Sequence, residues 1–166
     1  MRNCTIENAK RQWLVFKKTA GMEKDVQIIS GGAFEDERGK IIFCNEFDLS
    51  EVKRFYLIEH PDTNVVRAWQ GHQREQKWFF VIEGAFKMVL VQPDHWENPS
   101  KELVTEEFIL RSSEPKVLQV PGNYANGFKA LEPKSKIMVF SSFTVEESSN
   151  DNFRFDKDLW YDWGQI

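Results

Sequence analysis

The sequence predicts an all-β protein built as a sandwich or a barrel, and two observations predict it. From residue 26 onward, short runs rich in branched and aromatic residues recur along the chain. Turn-forming stretches separate these runs, namely SGG, HPDT, EGA, PDHWENPS, SSEP, PGNYANG and LEPKS. Many short strands with such regular breaks favour a sandwich or a barrel over alternating strands and helices.

Ten strands and one helix are predicted in chain order. The strands are Val26–Ile29, Lys40–Cys44, Lys53–Glu59, Asn64–Trp69, Lys77–Ile82, Phe86–Gln92, Glu107–Leu110, Val117–Val120, Gly127–Leu131 and Lys136–Phe143. A short helix is predicted around Asn150–Trp160. Residues 1–25 are predicted to be an N-terminal extension or arm, and residues 26–166 a single domain that ends in a C-terminal tail.

The composition excludes several classes of function. A chain of 166 residues, 41% of them apolar, is long enough for one domain with a real core. The net charge of −4 argues against a broad nucleic-acid surface. The apolar runs fall short of the ~20 residues that a membrane-spanning helix needs. Cys4 and Cys44 lie far apart and are expected to be free thiols. We therefore expect a cytoplasmic protein with neither a nucleic-acid nor a membrane partner.

The stretch VVRAWQGHQREQKWFFVIEG, residues 65–84, is the most informative in the chain. Strand alternation places Ala68, Gln70 and His72 on one face, and it places Arg67 on the opposite face unless a bulge intervenes. Lys77 begins the partner strand. Polar side chains inside a barrel need hydrogen-bond partners, from the protein or from a ligand, so this set predicts a binding or catalytic site.

Each of these residues has a simpler alternative explanation. His72 alone is compatible with an ordinary core or surface histidine, and Lys77 with a solvated turn lysine. Arg38 and Arg67 suit diphosphate recognition, because the guanidinium fork matches phosphate oxygens, but both are equally compatible with ordinary surface arginines. His60 and His95 lie in turn-like stretches and are expected to be exposed.

The motifs resemble those of the cupins. The first motif of metal-binding cupins is approximately G-x5-H-x-H-x3-4-E-x6-G, and this chain has Gln70, His72, Lys77 and Gly84 at the corresponding places. Asn126 stands where the second motif has its histidine. Since His72 alone matches a metal ligand, we predict that the protein has no catalytic metal and no cofactor.

The match is closer to the metal-free cupins that act as dTDP-sugar 3,5-epimerases and 3,4-ketoisomerases. Arg67, Gln70 and Lys77 fall on the epimerase pattern R-G-x-H…Q-x-K, and VPGNYANGFKAL is similar to its IPxGFAHGFxxL. DERGK, residues 36–40, resembles the D-x-R-G motif of that family, and KRFYLI, residues 53–58, resembles the ketoisomerase K-R-x-Y strand. The resemblance covers about residues 26–145.

This resemblance implies a cupin jelly-roll barrel, a double-stranded β-helix with short helical segments at the termini. It implies an isomerase or epimerase that removes a proton next to the keto group of a nucleotide-linked, dTDP-type 4-keto-6-deoxy sugar. It also implies a homodimer with exchanged N-terminal strands. The alternatives are a barrel that binds a carbohydrate or a nucleotide sugar without turnover, and a purely structural dimeric barrel.

The resemblance also implies a role for each site residue. Gln70 cannot act as the base that the family places there, so His72 is the expected base, and a one-base isomerisation is favoured over a two-step epimerisation. Lys77 is the expected cation for the enolate or a phosphate. Phe143 occupies the region of the family's tyrosine acid, which leaves Tyr124 and Tyr56 as candidates. The expected substrate-binding residues are Asp36, Arg38, Arg67, Gln70 and Asn126.

Overall fold

Residues 25–164 are described by the structure, which is a computed structural model. The predicted extension, residues 1–25, lies outside this range except for Asp25. Within residues 25–164 the chain forms twelve strands and one short helix. They are β1 (Gln27–Ser30), β2 (Gly32–Asp36), β3 (Gly39–Phe43), β4 (Arg54–Glu59), β5 (Val66–His72), β6 (Lys77–Glu83), β7 (Ala85–Val91), β8 (Thr105–Arg111), β9 (Lys116–Val120), β10 (Tyr124–Ala130), β11 (Lys136–Ser141), α1 (Val145–Ser149) and β12 (Phe153–Arg154).

Two five-stranded antiparallel sheets form the body of the domain. Their strand orders are β1-β9-β6-β11-β4 and β12-β5-β10-β7-β8, and β2 pairs with β3 in a separate hairpin. All ten predicted strands are present. Except for β7 and β8, neighbouring strands of one sheet are not consecutive in the chain, as in a double-stranded β-helix, so the predicted all-β barrel is confirmed.

The main core lies between the two sheets. Strand β4 shows how the sequence builds it, because Tyr56 and Ile58 alternate with the exposed Phe55 and Leu57 and turn inward to the core. A further set of buried apolar residues fills the space between the sheets: Phe79, Val81, Phe86, Met88, Leu90, Leu110, Leu118, Phe128, Ile137 and Val139.

A second apolar cluster covers the outer face of the sheet that contains β5, β7 and β10. The Trp69 ring lies 5.4 Å from that of Trp160 and 5.6 Å from that of Trp163, measured between centroids. A Cβ at Gly127 would lie only 2.7 Å from the Trp163 ring, so the close packing of this tail requires glycine there. The C-terminal tail therefore explains why β7 and β10 are buried on both faces.

A β-bulge in β5 changes the predicted side-chain alternation. Asn126 of β10 pairs with Gln70, but Phe128 pairs with Arg67, so β5 contains one residue more than β10 over this stretch. Arg67 therefore lies at the same cavity as Gln70, whereas strict alternation would place it on the opposite face. Trp69 belongs to the outer cluster.

The predicted helix around Asn150–Trp160 is wrong. The helix is α1, and it begins earlier because Thr144 caps it and forms a capping box with Glu147. After the C-cap residue Asn150, the chain extends into β12, which pairs with β5. Within residues 25–164, no helix is long and apolar enough to cross a membrane.

We expect the inter-sheet core to be sensitive to the loss of a single methylene group. Ile137 is fully buried on β11. The Ile137→Val variant should lower the free energy of unfolding by ~0.5–1.5 kcal/mol, measured by urea denaturation. The matched control is Ile109→Val at an exposed position of β8, which should change it by less than ~0.5 kcal/mol. Equal effects of the two variants would contradict this description of the core.

Candidate active site

A cavity of about 360 Å³ opens between the two sheets. Its apolar wall consists of Ile58, Phe79, Phe128 and Val139. Its polar wall consists of Arg54, Tyr56, Arg67, Gln70, Lys77, Asn126 and Arg154. The structure therefore brings together four of the predicted site residues, Arg67, Gln70, Lys77 and Asn126, and adds Arg54 and Arg154.

A larger depression of about 580 Å³ lies elsewhere on the surface and is more open to solvent. It is bordered by Lys53 and Arg74, whose cations lie 5.8 and 5.5 Å from the centroid of the Phe143 ring. Lys53 is already paired with Glu147. The smaller cavity is the better candidate for chemistry, because buried titratable groups meet there.

Lys77 is the central cation of the site. Its side chain is 4% exposed, which rules out a solvated turn lysine. Its Nζ lies 2.8 Å from Nε2 of His72, 3.3 Å from Oε1 of Gln70 and 4.0 Å from Oε1 of Glu75. Burial lowers the pKa of Lys77 to about 8; Arg54 and Arg154 act in the same direction as burial, while Glu75 opposes the shift.

His72 lies behind Lys77 and is not among the residues that line the cavity. Its Nδ1 lies 2.5 Å from the carbonyl oxygen of Asp151 and 2.9 Å from Oε2 of Glu75. Both partners are acceptors, so Nδ1 carries the proton in the neutral ring and Nε2 accepts from Lys77. The buried position of His72 agrees with its predicted inward orientation, but Lys77 lies between the ring and the cavity.

Glu75 is the buried negative charge beside Lys77 and His72, and its side chain is fully enclosed. It accepts hydrogen bonds from Ser141 at 2.6 Å and Ser148 at 2.7 Å, and Arg54 lies 3.3 Å away. Burial alone would raise the pKa of Glu75, but the contacts with His72, Lys77 and the two serines outweigh it and lower the pKa to about 2. Glu75 is therefore a fixed negative charge at neutral pH.

Asp151 fixes the turn that carries Glu75. Its carboxylate accepts the backbone N–H groups of Gln73 at 3.1 Å, Arg74 at 2.9 Å and Glu75 at 2.9 Å. The same residue contacts His72 through its carbonyl oxygen. The segment after α1 thus holds the turn between β5 and β6 in place, from about 75 residues away along the chain.

Gln70 and Asn126 are already engaged within the protein. The Gln70 amide donates to Oδ1 of Asn152 at 3.1 Å, which turns its oxygen toward Lys77. Asn126 donates to the backbone oxygen of Gln70 at 2.9 Å. Both residues therefore shape the wall of the cavity and hold the groups beside it.

The remaining predicted site residues lie away from this cavity within the chain. Tyr124 is buried in the inter-sheet core and does not line it. Asp36 and Arg38 pair with each other at 2.5 Å on the β2–β3 hairpin, where the Arg38 side chain is 78% exposed. Tyr56, the other candidate acid, does line the cavity, and burial, the largest influence on it, raises its pKa.

The prediction that His60 is exposed is wrong. His60 is fully buried and stacks on Phe128 with ring centroids 5.6 Å apart. It occupies the next inward position after Ile58 along the β4 row, which the turn-like sequence EHPD conceals. Burial, with a smaller contribution from Arg67, lowers its pKa. His95 is exposed as expected.

Sequence reasoning missed Arg54, Glu75, Asp151 and Arg154. Arg54 had a usable signal, since it lies in the KRFYLI strand two residues before Tyr56. The other three lie in polar turns or in a segment predicted to be helical. Among residues 25–164 no group of three or more histidine, cysteine, aspartate or glutamate side chains has a geometry for a metal ion.

The chain is similar to known proteins in sequence and in structure. No protein-family model matches the sequence. The chain is similar to a probable low-salt glycan biosynthesis epimerase, Agl13, from Haloferax volcanii, with 26% identity over 121 residues that cover 69% of this chain and 75% of that protein.

The chain is also similar to solved structures. A 3,4-ketoisomerase from Helicobacter canadensis superposes with a TM-score of 0.62 at 20% identity, covering 80% of this chain and 92% of its own. A dTDP-4-dehydrorhamnose 3,5-epimerase from Bacillus anthracis superposes with a TM-score of 0.67 at 18% identity, covering 84% and 85%. The chain shares their fold. The double-stranded β-helix barrel predicted for the chain is thereby confirmed.

The buried charge of Glu75 should make stability depend on pH in acid. Its folded-state pKa of about 2 lies below its ordinary value of 4.5, so its stabilisation is complete above about pH 4.5 and is lost as the pH falls toward 2. The Glu75→Gln variant should be less stable than the wild type by ~3–5 kcal/mol near neutral pH, and this gap should shrink in acid. Urea denaturation at several pH values measures it.

The control for this experiment is Glu97→Gln, at an exposed loop position, which should leave the free energy of unfolding nearly unchanged at each pH. A stability gap between wild type and Glu75→Gln that stays constant down to about pH 2 would contradict the assignment of Glu75 as the fixed charge.

Proposed function

We propose that the chain is an isomerase or epimerase that acts on a nucleotide-linked, dTDP-type 4-keto-6-deoxy sugar by moving a proton next to the keto group. The observation that carries this proposal is the buried Lys77–His72–Glu75 series, which reaches the cavity through Lys77. Similar proteins with this fold include a 3,4-ketoisomerase and a dTDP-4-dehydrorhamnose 3,5-epimerase, which supports the substrate class.

The chemistry fits the groups available. Removing a proton next to a ketone needs a base, and it leaves an enolate whose charge needs a nearby cation. Lys77 and His72 supply titratable nitrogens, and Arg54 and Arg154 supply fixed positive charge beside Lys77. The apolar wall keeps part of the site out of water, which strengthens these electrostatic interactions.

We assign substrate binding to the polar wall. Arg67 is suited to the diphosphate of the substrate. Gln70 and Asn126 line the cavity, and the donor and acceptor positions that their internal contacts leave open are placed to hydrogen-bond the sugar. Tyr56 takes the place of Tyr124 as the candidate acid, because it lines the cavity. In this proposal, Asp36 and Arg38 contribute to substrate binding from the β2–β3 hairpin of a second subunit.

A homodimer is part of the proposal, and two apolar surfaces support it. Within residues 25–164, β4 is an edge strand, and Phe55 and Leu57 on it are 66% and 52% exposed. The β2–β3 hairpin leaves Phe34 and Ile41 exposed, although an isolated hairpin is marginally stable in water. Packing against a second copy would bury both surfaces. A cytoplasmic location belongs to the same proposal, in line with the free thiol of Cys44.

Proton abstraction predicts solvent exchange. Incubated in deuterium oxide with dTDP-4-keto-6-deoxyglucose, the full chain should incorporate deuterium at C3 or C5 of the sugar, detected by mass spectrometry and NMR. The alternative, a barrel that binds without turnover, predicts affinity for the nucleotide sugar with no incorporation. Binding without exchange across several 4-keto sugars would overturn the enzymatic proposal.

The dimer has a separate test. Light scattering at micromolar concentration should give twice the chain mass of 19.6 kDa, and the Phe55→Glu variant should shift the protein toward the monomer because it places a charge in the apolar contact. Val104→Glu, at an 88% exposed position, is the matched control and should leave the mass unchanged. A wild-type monomer would contradict the dimer and leave the barrel intact.

A further inference from the structure

We propose that Lys77, and not His72, is the group that takes the proton from the substrate, with His72 and Gln70 as the residues that position it. This inference deepens the proposed function and rests on it. It replaces the expectation, drawn from the sequence, that a histidine must be the base.

The hydrogen bonds of Nζ are the first line of evidence. A neutral amine has two N–H donors and one lone pair. Two acceptors lie within hydrogen-bond distance of Lys77, namely Nε2 of His72 at 2.8 Å and Oε1 of Gln70 at 3.3 Å. Glu75 at 4.0 Å is beyond that distance. With both N–H groups engaged, the remaining position on Nζ is left for a substrate, since Lys77 borders the cavity.

The hydrogen bonds of the His72 ring give the second reason for this assignment. Its Nδ1 faces two acceptors, the carbonyl oxygen of Asp151 and the carboxylate of Glu75. The proton therefore sits on Nδ1, and the lone pair of Nε2 is engaged by Lys77. No lone pair of this ring is left for a substrate carbon, and the ring does not line the cavity.

The environment of Lys77 favours titration near neutral pH. The charged and titratable groups that face it are Arg54 on β4, His72 on β5, Glu75 in the following turn, Asp151 after α1 and Arg154 on β12. Burial, Arg54 and Arg154 lower its pKa to about 8, against the opposing effect of the two carboxylates. A lysine in this range exchanges protons readily at physiological pH.

The proton transfers balance for an isomerisation. The neutral Nζ takes the proton from the carbon next to the ketone, the C–H electron pair forms the enolate, and Nζ becomes an ammonium. The hydroxyl proton of that carbon moves to the former keto oxygen, and the ammonium returns a proton to the former keto carbon. The ketone has then moved by one carbon, and no other reactant is consumed. A single group on one side of the sugar suits this shift better than inversion at two centres.

The decisive variant is Lys77→Arg. Arginine keeps the positive charge but does not lose its proton at accessible pH. If Lys77 is the proton acceptor, Lys77→Arg should reduce deuterium exchange into dTDP-4-keto-6-deoxyglucose by ~10²–10⁴-fold. If Lys77 only supplies charge, the variant should keep a substantial fraction of the rate.

Three further measurements distinguish a catalytic role of Lys77 from a supporting one. Exchange by the wild type should rise with pH through about 8, following loss of the proton from Lys77, and Lys77→Ala should recover part of its activity with added methylamine. His72→Gln should retain exchange with a displaced pH midpoint, since this residue acts through Lys77. Binding of dTDP by calorimetry and the circular dichroism spectrum check that each variant is folded.

The outcomes are distinguishable. A Lys77→Arg variant that exchanges within tenfold of the wild type, or a His72→Gln variant that loses all exchange while Lys77→Arg retains it, would overturn this inference and leave the proposed function standing. A wild-type protein that binds the nucleotide sugar without exchanging any proton would overturn both.

Discussion

The enclosed carboxylate of Glu75 is the constraint on which the site depends. Moving a charge out of water costs several kcal/mol unless partners surround it. Here the partners come from separate elements: His72 from β5, Arg54 from β4, Ser141 from β11 and Ser148 from α1. Each of these elements must therefore keep its position for the charge to stay satisfied, and the orientation of Lys77 follows through its contact with His72.

The C-terminal segment completes this arrangement. Asp151 holds three consecutive N–H groups of the turn that carries Glu75. Asn152 orients the amide of Gln70, and Arg154 joins the cavity wall through the pairing of β12 with β5. The tryptophans that follow cover the outer face of the same sheet. A segment outside the motifs discussed above thus supplies both a wall of the site and the contacts that hold it.

The site residues that could be predicted are those whose placement is visible in the sequence immediately around them. Gln70, Lys77 and Asn126 lie on strands whose apolar pattern and motif spacing are visible over a few residues. Asp151 and Arg154 act on residues more than 70 positions away, and their own surroundings in the sequence resemble a polar helix. The place of Arg67 depends on one extra residue in β5, which becomes visible only when β5 is paired with β10. The burial of His60 could not be predicted, because the inward-facing alternation of β4 continues to His60, past the apparent end of that strand in the sequence.

Burial acts on Glu75 and Lys77 with opposite consequences for function. In both cases it disfavours the charged form. Around Glu75, the hydrogen bond from His72, the charge of Lys77 and the hydrogen bonds from Ser141 and Ser148 overcome that effect and hold the carboxylate ionised. Around Lys77, Arg54 and Arg154 add to it and lower the affinity of the amine for its proton. One group becomes a permanent charge and its neighbour a titrating one, which is the separation that acid–base chemistry at neutral pH requires. Gln70 fits this division, because an amide oxygen accepts a hydrogen bond from the lysine without competing for its proton.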